Sequence, residues 1–166
     1  MTAGPTPSPP NGRAARADPT ARPLPDRLIT ALQRAHTAEQ VAVGEQRRPA
    51  FRLTRALLGG ARRAGYAPTL LAQTLGISIH AVRGRGGGDG WISRQVFTDL
   101  TDLPPGVIDS WATAGLLPAR ALDEIGRDCY LASELIRALG RQSANRTSIP
   151  KRTRTDYDAS TAADAS

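Results

Sequence analysis

Apolar side chains recur at helical spacing through the middle of the chain, between two flanks that almost lack them. Pro25 and Asp26 open a segment with Leu28, Ile29, Leu32 and Ala35 on one side, the spacing of an amphipathic helix. Pro49 begins a second, with Phe51, Leu57, Leu58 and Ala61 along one side; Gly59 and Gly60 weaken its middle, and Gly65 marks a stop. Pro68 opens a short third helix through Leu75. Ser78, after Gly76 and Ile77, is placed to cap a fourth that reaches Arg85. The GGGDG run at 86–90 ends it and reads as a flexible connector. The pattern resumes at Trp91 with helices expected over about Ser93–Leu100 and Pro105–Ala114. Leu116 and Leu117 then start an extended segment, 119–127 forms a loop or wing, and Tyr130–Leu139 is expected as a last helix. The predicted fold class is mainly all-α.

The flanks behave differently. Residues 1–24 hold six prolines and too little apolar surface to offset the entropy of ordering. Residues 142–166 carry a basic cluster and then a short acidic stretch. Both are expected to be disordered tails around a domain at 25–90 and a module at 91–141.

Composition narrows the function. The formal net charge is +7, and 21 of the 22 cations are arginine, Lys151 being the exception. That balance suits a polyanionic partner, although basic chains also bind acidic proteins and membranes. Arginine excess beside abundant Ala, Gly and Pro is also what a GC-rich genome encodes. Cys129 is the single cysteine, so no intramolecular disulfide can form, and one Cys with two His cannot make a four-ligand zinc site. No apolar run reaches the length of a membrane span. A cytoplasmic, nucleoid-associated protein without cofactor is expected.

The stretch PTLLAQTLGISIHAVRGRGG, residues 68–87, resembles the helix-turn-helix of bacterial regulators, and LGIS..AVRGR looks like the reading helix of sigma-factor region four. Ala72 stands where two helices cross closely, Gly76 where the turn commonly needs positive φ, and Leu71, Leu75, Ile77 and Val82 where side chains return to the core. The resemblance implies that helix 79–85 enters the major groove of double-stranded DNA. The candidate DNA-binding residues are Arg62, Arg63, Thr69, Ser78, Ile79, His80, Arg83 and Arg85. A plain helical hairpin would share the turn glycine. Charge favours the DNA reading: from Pro49 to Gly90 six arginines face one acid, Asp89, a balance of +5.

A second stretch, LTDLPPGVIDSWATAGLLP, resembles the winged helix-turn-helix of MerR regulators and phage excisionases, the likeness covering residues 96–139. Ile108, Trp111, Gly115, Leu116, Leu117 and Pro118 carry it, and Arg127, Tyr130 and Leu135 follow in the family's order. The resemblance implies tandem helix-turn-helix modules, the second with a small wing. Asp102 replaces the usual turn Gly, Thr98 the small Ala, Pro104 the capping Ser, and Asp109 stands where the family often has Arg. From Trp91 to Gly140 four arginines face seven acids, a balance of −3 that opposes phosphate contact. A shift of 26 aligns Leu71 with Phe97 and Val82 with Ile108, the mark of a diverged internal repeat. By that alignment Gly90–Ile92 also runs extended, with Trp91 covering the core.

No catalytic constellation is legible: His36 and His80 fall in different predicted helices, Cys129 reads as a small buried hydrophobe, and GRGGGDG lacks the Lys-Ser/Thr of a phosphate loop. Three readings follow. The chain is a transcriptional regulator reading double-stranded DNA, an accessory DNA-binding protein of a phage or plasmid (excisionase or partition type), or a protein-interaction adaptor whose helix-turn-helix folds no longer touch DNA. Under any of them the acidic second module is the candidate surface for a protein partner or self-association.

Overall fold

The computed structural model describes residues 21–147; most of both expected tails, residues 1–20 and 148–166, lies outside the described residues. The elements run α1 (Asp26–Val41), a 3-10 turn (Gly44–Gln46), α2 (Arg47–Arg63), α3 (Pro68–Leu75), α4 (Ile79–Arg85), β1 (Trp91–Ser93), α5 (Arg94–Thr101), α6 (Val107–Thr113), β2 (Arg120–Leu122), β3 (Asp128–Leu131) and α7 (Ala132–Thr147). The architecture is mainly helical, with one small antiparallel sheet whose order is β1-β3-β2.

Local chemistry sets most boundaries. Pro25 precedes α1 with extended dihedrals, and Asp26 supplies an acid to its first turn. α2 starts from the 3-10 turn at Arg47, two residues before Pro49, which sits within the first turn where its missing N–H costs nothing. Gly65 and Gly76 take φ of +96° and +64° just past α2 and at the end of α3, the left-handed geometry that releases a chain from a helix. Ser78 and Ser93 cap α4 and α5, their Oγ atoms accepting from the Ala81 and Val96 amides at 3.0 and 3.3 Å.

One hydrophobic core contains residues from both sides of Gly90. Leu28 and Leu32 of α1, Leu57 and Leu58 of α2, Phe97 of α5, and Leu135 and Leu139 of α7 are all fully enclosed in it. Burial of each such side chain stabilises by roughly 1.5–3 kcal/mol. α1 also clasps the end of α5 with polar contacts. Arg27 donates to the Thr101 carbonyl at 2.8 Å and to that of Asp102, and Arg34 donates to the Asp99 carbonyl at 3.0 Å while pairing with the Asp102 carboxylate at 2.8 Å. Two cations thus meet the carbonyl end of a helix, where its dipole is negative. Asp102 itself holds φ +51°, as the usual turn glycine would.

Gly59 and Gly60 are why α2 can be central. A Cβ on Gly59 would overlap the Gly88 carbonyl oxygen, and one on Gly60 would lie 2.6 Å from Ala132 Cβ and 2.8 Å from the Ser133 nitrogen. The residues that weaken α2 as a helix therefore let α7 and the 86–90 segment approach its backbone.

Four expectations are corrected. The 86–90 segment is docked: Gly86 and Gly90 pack on Leu58 and Ala56, and the Asp89 carboxylate accepts from the Gly90 and Ser133 amides at 3.1 and 3.0 Å and from the Ser133 hydroxyl. Asp89 thereby caps α7 from a distant part of the chain. The last helix does not begin at Tyr130, because Cys129 and Tyr130 pair with both neighbouring strands in β3; it begins at Ala132 and continues to Thr147, so residues 142–147 are helix and not tail. The strand after α6 begins at Arg120, beyond Leu116 and Leu117. Trp91 is half exposed, because strand alternation sends the neighbouring Ile92 into the core instead. With Val41, Leu122 and Ile125, Trp91 lines an open apolar groove between the α1–α2 corner and the β2–β3 hairpin.

Candidate nucleic-acid interface

α3 and α4 meet through a three-residue turn, Gly76–Ser78, and pack by Leu71, Ala72 and Val82, all buried. Leu75, Ile77 and Ile79 are half-buried against the same core. Val82 points inward, so residues two positions either side of it, His80 and Gly84, face outward, and both are exposed. A Cβ at Gly84 would meet nothing within 4 Å. Arg83 flanks this line and is also exposed. α4 thus presents His80, Arg83 and bare backbone at Gly84.

The other candidates divide by what already holds them. Arg62 lies half-buried beneath the end of α4 and donates to the carbonyls of Arg83 (3.3 Å) and Gly86 (2.8 Å), so it is a strut between α2 and α4. Arg85 turns back to the protein: it pairs with Glu39 of α1 at 3.0 Å and lies over the Phe51 ring, 5.7 Å from its centre. Phe51, expected on the core side of α2, is accordingly 40% exposed and serves as a platform for that guanidinium. Ser78 spends its hydroxyl on the cap. Thr69 and Ile79 are half-buried. Arg63 is exposed, its carbonyl accepting from Arg137 at 2.7 Å. Of the eight residues, His80, Arg83 and Arg63 are left with outward-facing functional groups.

Sequence reasoning assigned no site on the first half of α2, where Arg47, Arg48, Arg52 and Arg55 are all exposed. The signal was visible as arginine at 48, 52 and 55, spaced four and three apart on one helix face. Among the described residues there are 17 arginines, and nine of them hold a protein partner through the guanidinium: 22, 27, 34, 62, 85, 94, 120, 127 and 137. Of the eight others, Arg47, Arg48, Arg52, Arg55, Arg63 and Arg83 are on α2 or α4, and Arg141 and Arg146 are exposed on the last two turns of α7.

From Trp91 to Gly140 the pattern is the reverse. Arg94 pairs with Asp109 at 2.6 Å, Arg127 with Asp123 at 2.7 Å, and Arg120 with Asp128, while Arg137 is bound to the Arg63 carbonyl. Asp123 also accepts from the backbone amides of Arg127 (2.8 Å) and Ile125 (3.1 Å), and those bonds hold its carboxyl below the usual aspartate range. Every arginine from Trp91 to Gly140 is thus committed within the chain.

Among the described residues no three His, Cys, Asp or Glu side chains are grouped to hold a metal, and no helix is long and apolar enough to cross a membrane. Cys129 is buried, and burial raises its thiol above the ordinary cysteine range. The chain matches no family, no curated protein and no solved structure.

Proposed function

We propose that this chain is a sequence-specific double-stranded DNA-binding protein of the helix-turn-helix type, a bacterial transcriptional regulator that reads the major groove with α4. The observation that carries the reading is the partition of arginines. Six of the eight described arginines that hold no protein partner lie on α2 and α4, the other two being Arg141 and Arg146 on α7, and the outer line of α4 is a histidine and bare glycine backbone. A cationic field of that kind supplies the sequence-independent part of duplex affinity, and the few side chains on α4 supply discrimination. Arg83 and His80 are the base-reading candidates. Arg62 and Arg85 act behind them by fixing α4 on α2. Close approach at Gly84 suits a helix that must enter a groove.

The α5–α6 unit with its β2–β3 hairpin is the proposed winged second module. Its internally paired arginines and excess of acids favour a bracing or protein-docking role over phosphate contact. An accessory protein of a phage or plasmid would use the same surface in the same way.

The test is selection of a preferred duplex from random sequence, followed by fluorescence anisotropy with Arg83→Ala. Loss of one bidentate base contact costs about 1–3 kcal/mol, roughly 5- to 150-fold in affinity for the selected site. Failure to enrich any sequence, or an Arg83→Ala protein that binds the selected duplex as the parent does, refutes the reading.

A further inference from the structure

The exposed arginines of α2 need an explanation apart from α4. On a helix with 3.6 residues per turn, Arg48, Phe51, Arg55, Gly59 and Arg62 fall within about 80° of one another, and Arg52 lies at the edge of that stripe. Three members of the stripe touch the α4 end of the neighbouring unit: Phe51 stacks under Arg85, Gly59 abuts Gly88, and Arg62 holds the Arg83 and Gly86 carbonyls. Arg55 lies between Phe51 and Arg62 in sequence and on the same stripe, so it flanks the C-terminal end of α4. Arg48 continues the line away from it, and Arg52, at the edge of the stripe, also borders the groove lined by Asp123 and Glu124 of the β2–β3 hairpin. All three are exposed, and none takes part in an ion pair or hydrogen bond among the described residues that would neutralise it.

We infer that Arg48, Arg52 and Arg55 form a phosphate-tracking ridge: a second contact surface that follows one strand of the duplex backbone while α4 occupies the adjacent groove. This rests on the DNA-binding reading above and adds to it a division of labour between helices. The ridge is about 10 Å long at 1.5 Å per residue, and the long arginine side chains extend its reach at both ends. Three guanidinium groups can therefore reach about two to three successive phosphates of one strand. Guanidinium forks suit that role, since each can donate two parallel hydrogen bonds to phosphate oxygens. Anchoring of the stripe to α4 through Arg62 and Phe51 fixes the ridge relative to the reading helix, so backbone contacts set the register in which His80 and Arg83 meet the bases.

The test measures binding of the full chain to labelled duplex DNA of mixed sequence, by anisotropy, between 50 and 200 mM salt. Arg48→Gln/Arg52→Gln/Arg55→Gln keeps helix-forming residues at exposed positions, and circular dichroism confirms that the fold is unchanged. With three phosphate contacts removed, the slope of log K against log salt becomes shallower by about 2 to 3, and affinity falls roughly tenfold or more on every duplex. The His80→Ala/Arg83→Ala protein retains most of the slope on mixed sequence and loses preference among sequences. If the parent binds duplex steeply with salt and the triple variant does so equally, the ridge is refuted and the DNA reading stands. If the parent shows no salt-dependent duplex binding, both fall together. If the triple variant loses capture of an acidic polypeptide such as poly-glutamate while its duplex binding is unchanged, the ridge belongs to a protein partner and the inference is overturned.

Discussion

Replacement of Gly60 by alanine tests the central packing claim, because two physical effects there have opposite signs. Alanine in a helix interior is favoured over glycine by about 1 kcal/mol, so propensity alone predicts a more stable protein. The new methyl would stand 2.6 Å from Ala132 Cβ and 2.8 Å from both the Ala132 carbonyl carbon and the Ser133 nitrogen. Carbon atoms sit comfortably at about 3.5–4.0 Å, so α2 and the first turn of α7 must separate by on the order of 1 Å. Overpacking of a tight contact typically costs about 1–3 kcal/mol. Movement of α7 also strains the bonds by which Asp89 holds Ser133, adding a further ~1 kcal/mol for a weakened cap. Packing wins, and the expected net loss is about 1–3 kcal/mol, a fall in Tm of roughly 4–12 °C for a domain of this size. Thermal melts followed by circular dichroism read it. A useful contrast is Gly84→Ala, where nothing lies within 4 Å of the added methyl; this change is expected to raise stability by about 0.5–1 kcal/mol. Addition of Ala132→Gly to Gly60→Ala should give little rescue, since two of the three overlaps are with backbone. A Gly60→Ala protein that melts at or above the parent temperature would refute this account of how α2 and α7 meet.

Three further outcomes follow from particular contacts. Asp89→Ala removes the acceptor for the Ser133 amide and hydroxyl and should cost about 1–2 kcal/mol in urea unfolding, with Asp89→Asn recovering part of the loss. Cys129, buried and with its thiol raised by that burial, should react with a thiol reagent at pH 8 far more slowly in the native protein than in urea; equal rates would contradict its placement. The hydrogen bond from Arg34 lowers the Asp102 carboxyl below its ordinary value, so its contribution is present above the unfolded pKa and lost as pH falls through the folded one. Stability should therefore decline below about pH 4, and Asp102→Asn, which tolerates the left-handed backbone, should flatten that part of the pH profile.

Much of the local structure was legible because its causes are local. Pro25, Pro68, Gly65, Gly76 and Ser78 act through their own dihedrals and hydrogen bonds, and the elements they bound fall where the sequence placed them. The apolar spacing identified Leu28, Leu32, Leu57 and Leu58 as core for the same reason, since a helix face repeats whatever its neighbours are. Of the candidate site, exposure was legible only in part. His80, Arg83 and Arg63 are outward-facing, whereas Arg62 and Arg85 are held by carbonyls, Glu39 and Phe51, partners that sequence distance conceals. What tertiary structure alone decided were the pairings. Tyr130 reads as a helix start until two strands on either side of it supply a ladder. GGGDG reads as a loose linker until α2 and α7 are close enough to grip it. Gly59 and Gly60 read as helix defects until another backbone occupies the space their missing side chains leave. A sequence lists the charges and volumes that a fold can use; which arginines are consumed inside the protein, and which stay exposed without an internal partner, depends on atoms brought together from far apart in the chain.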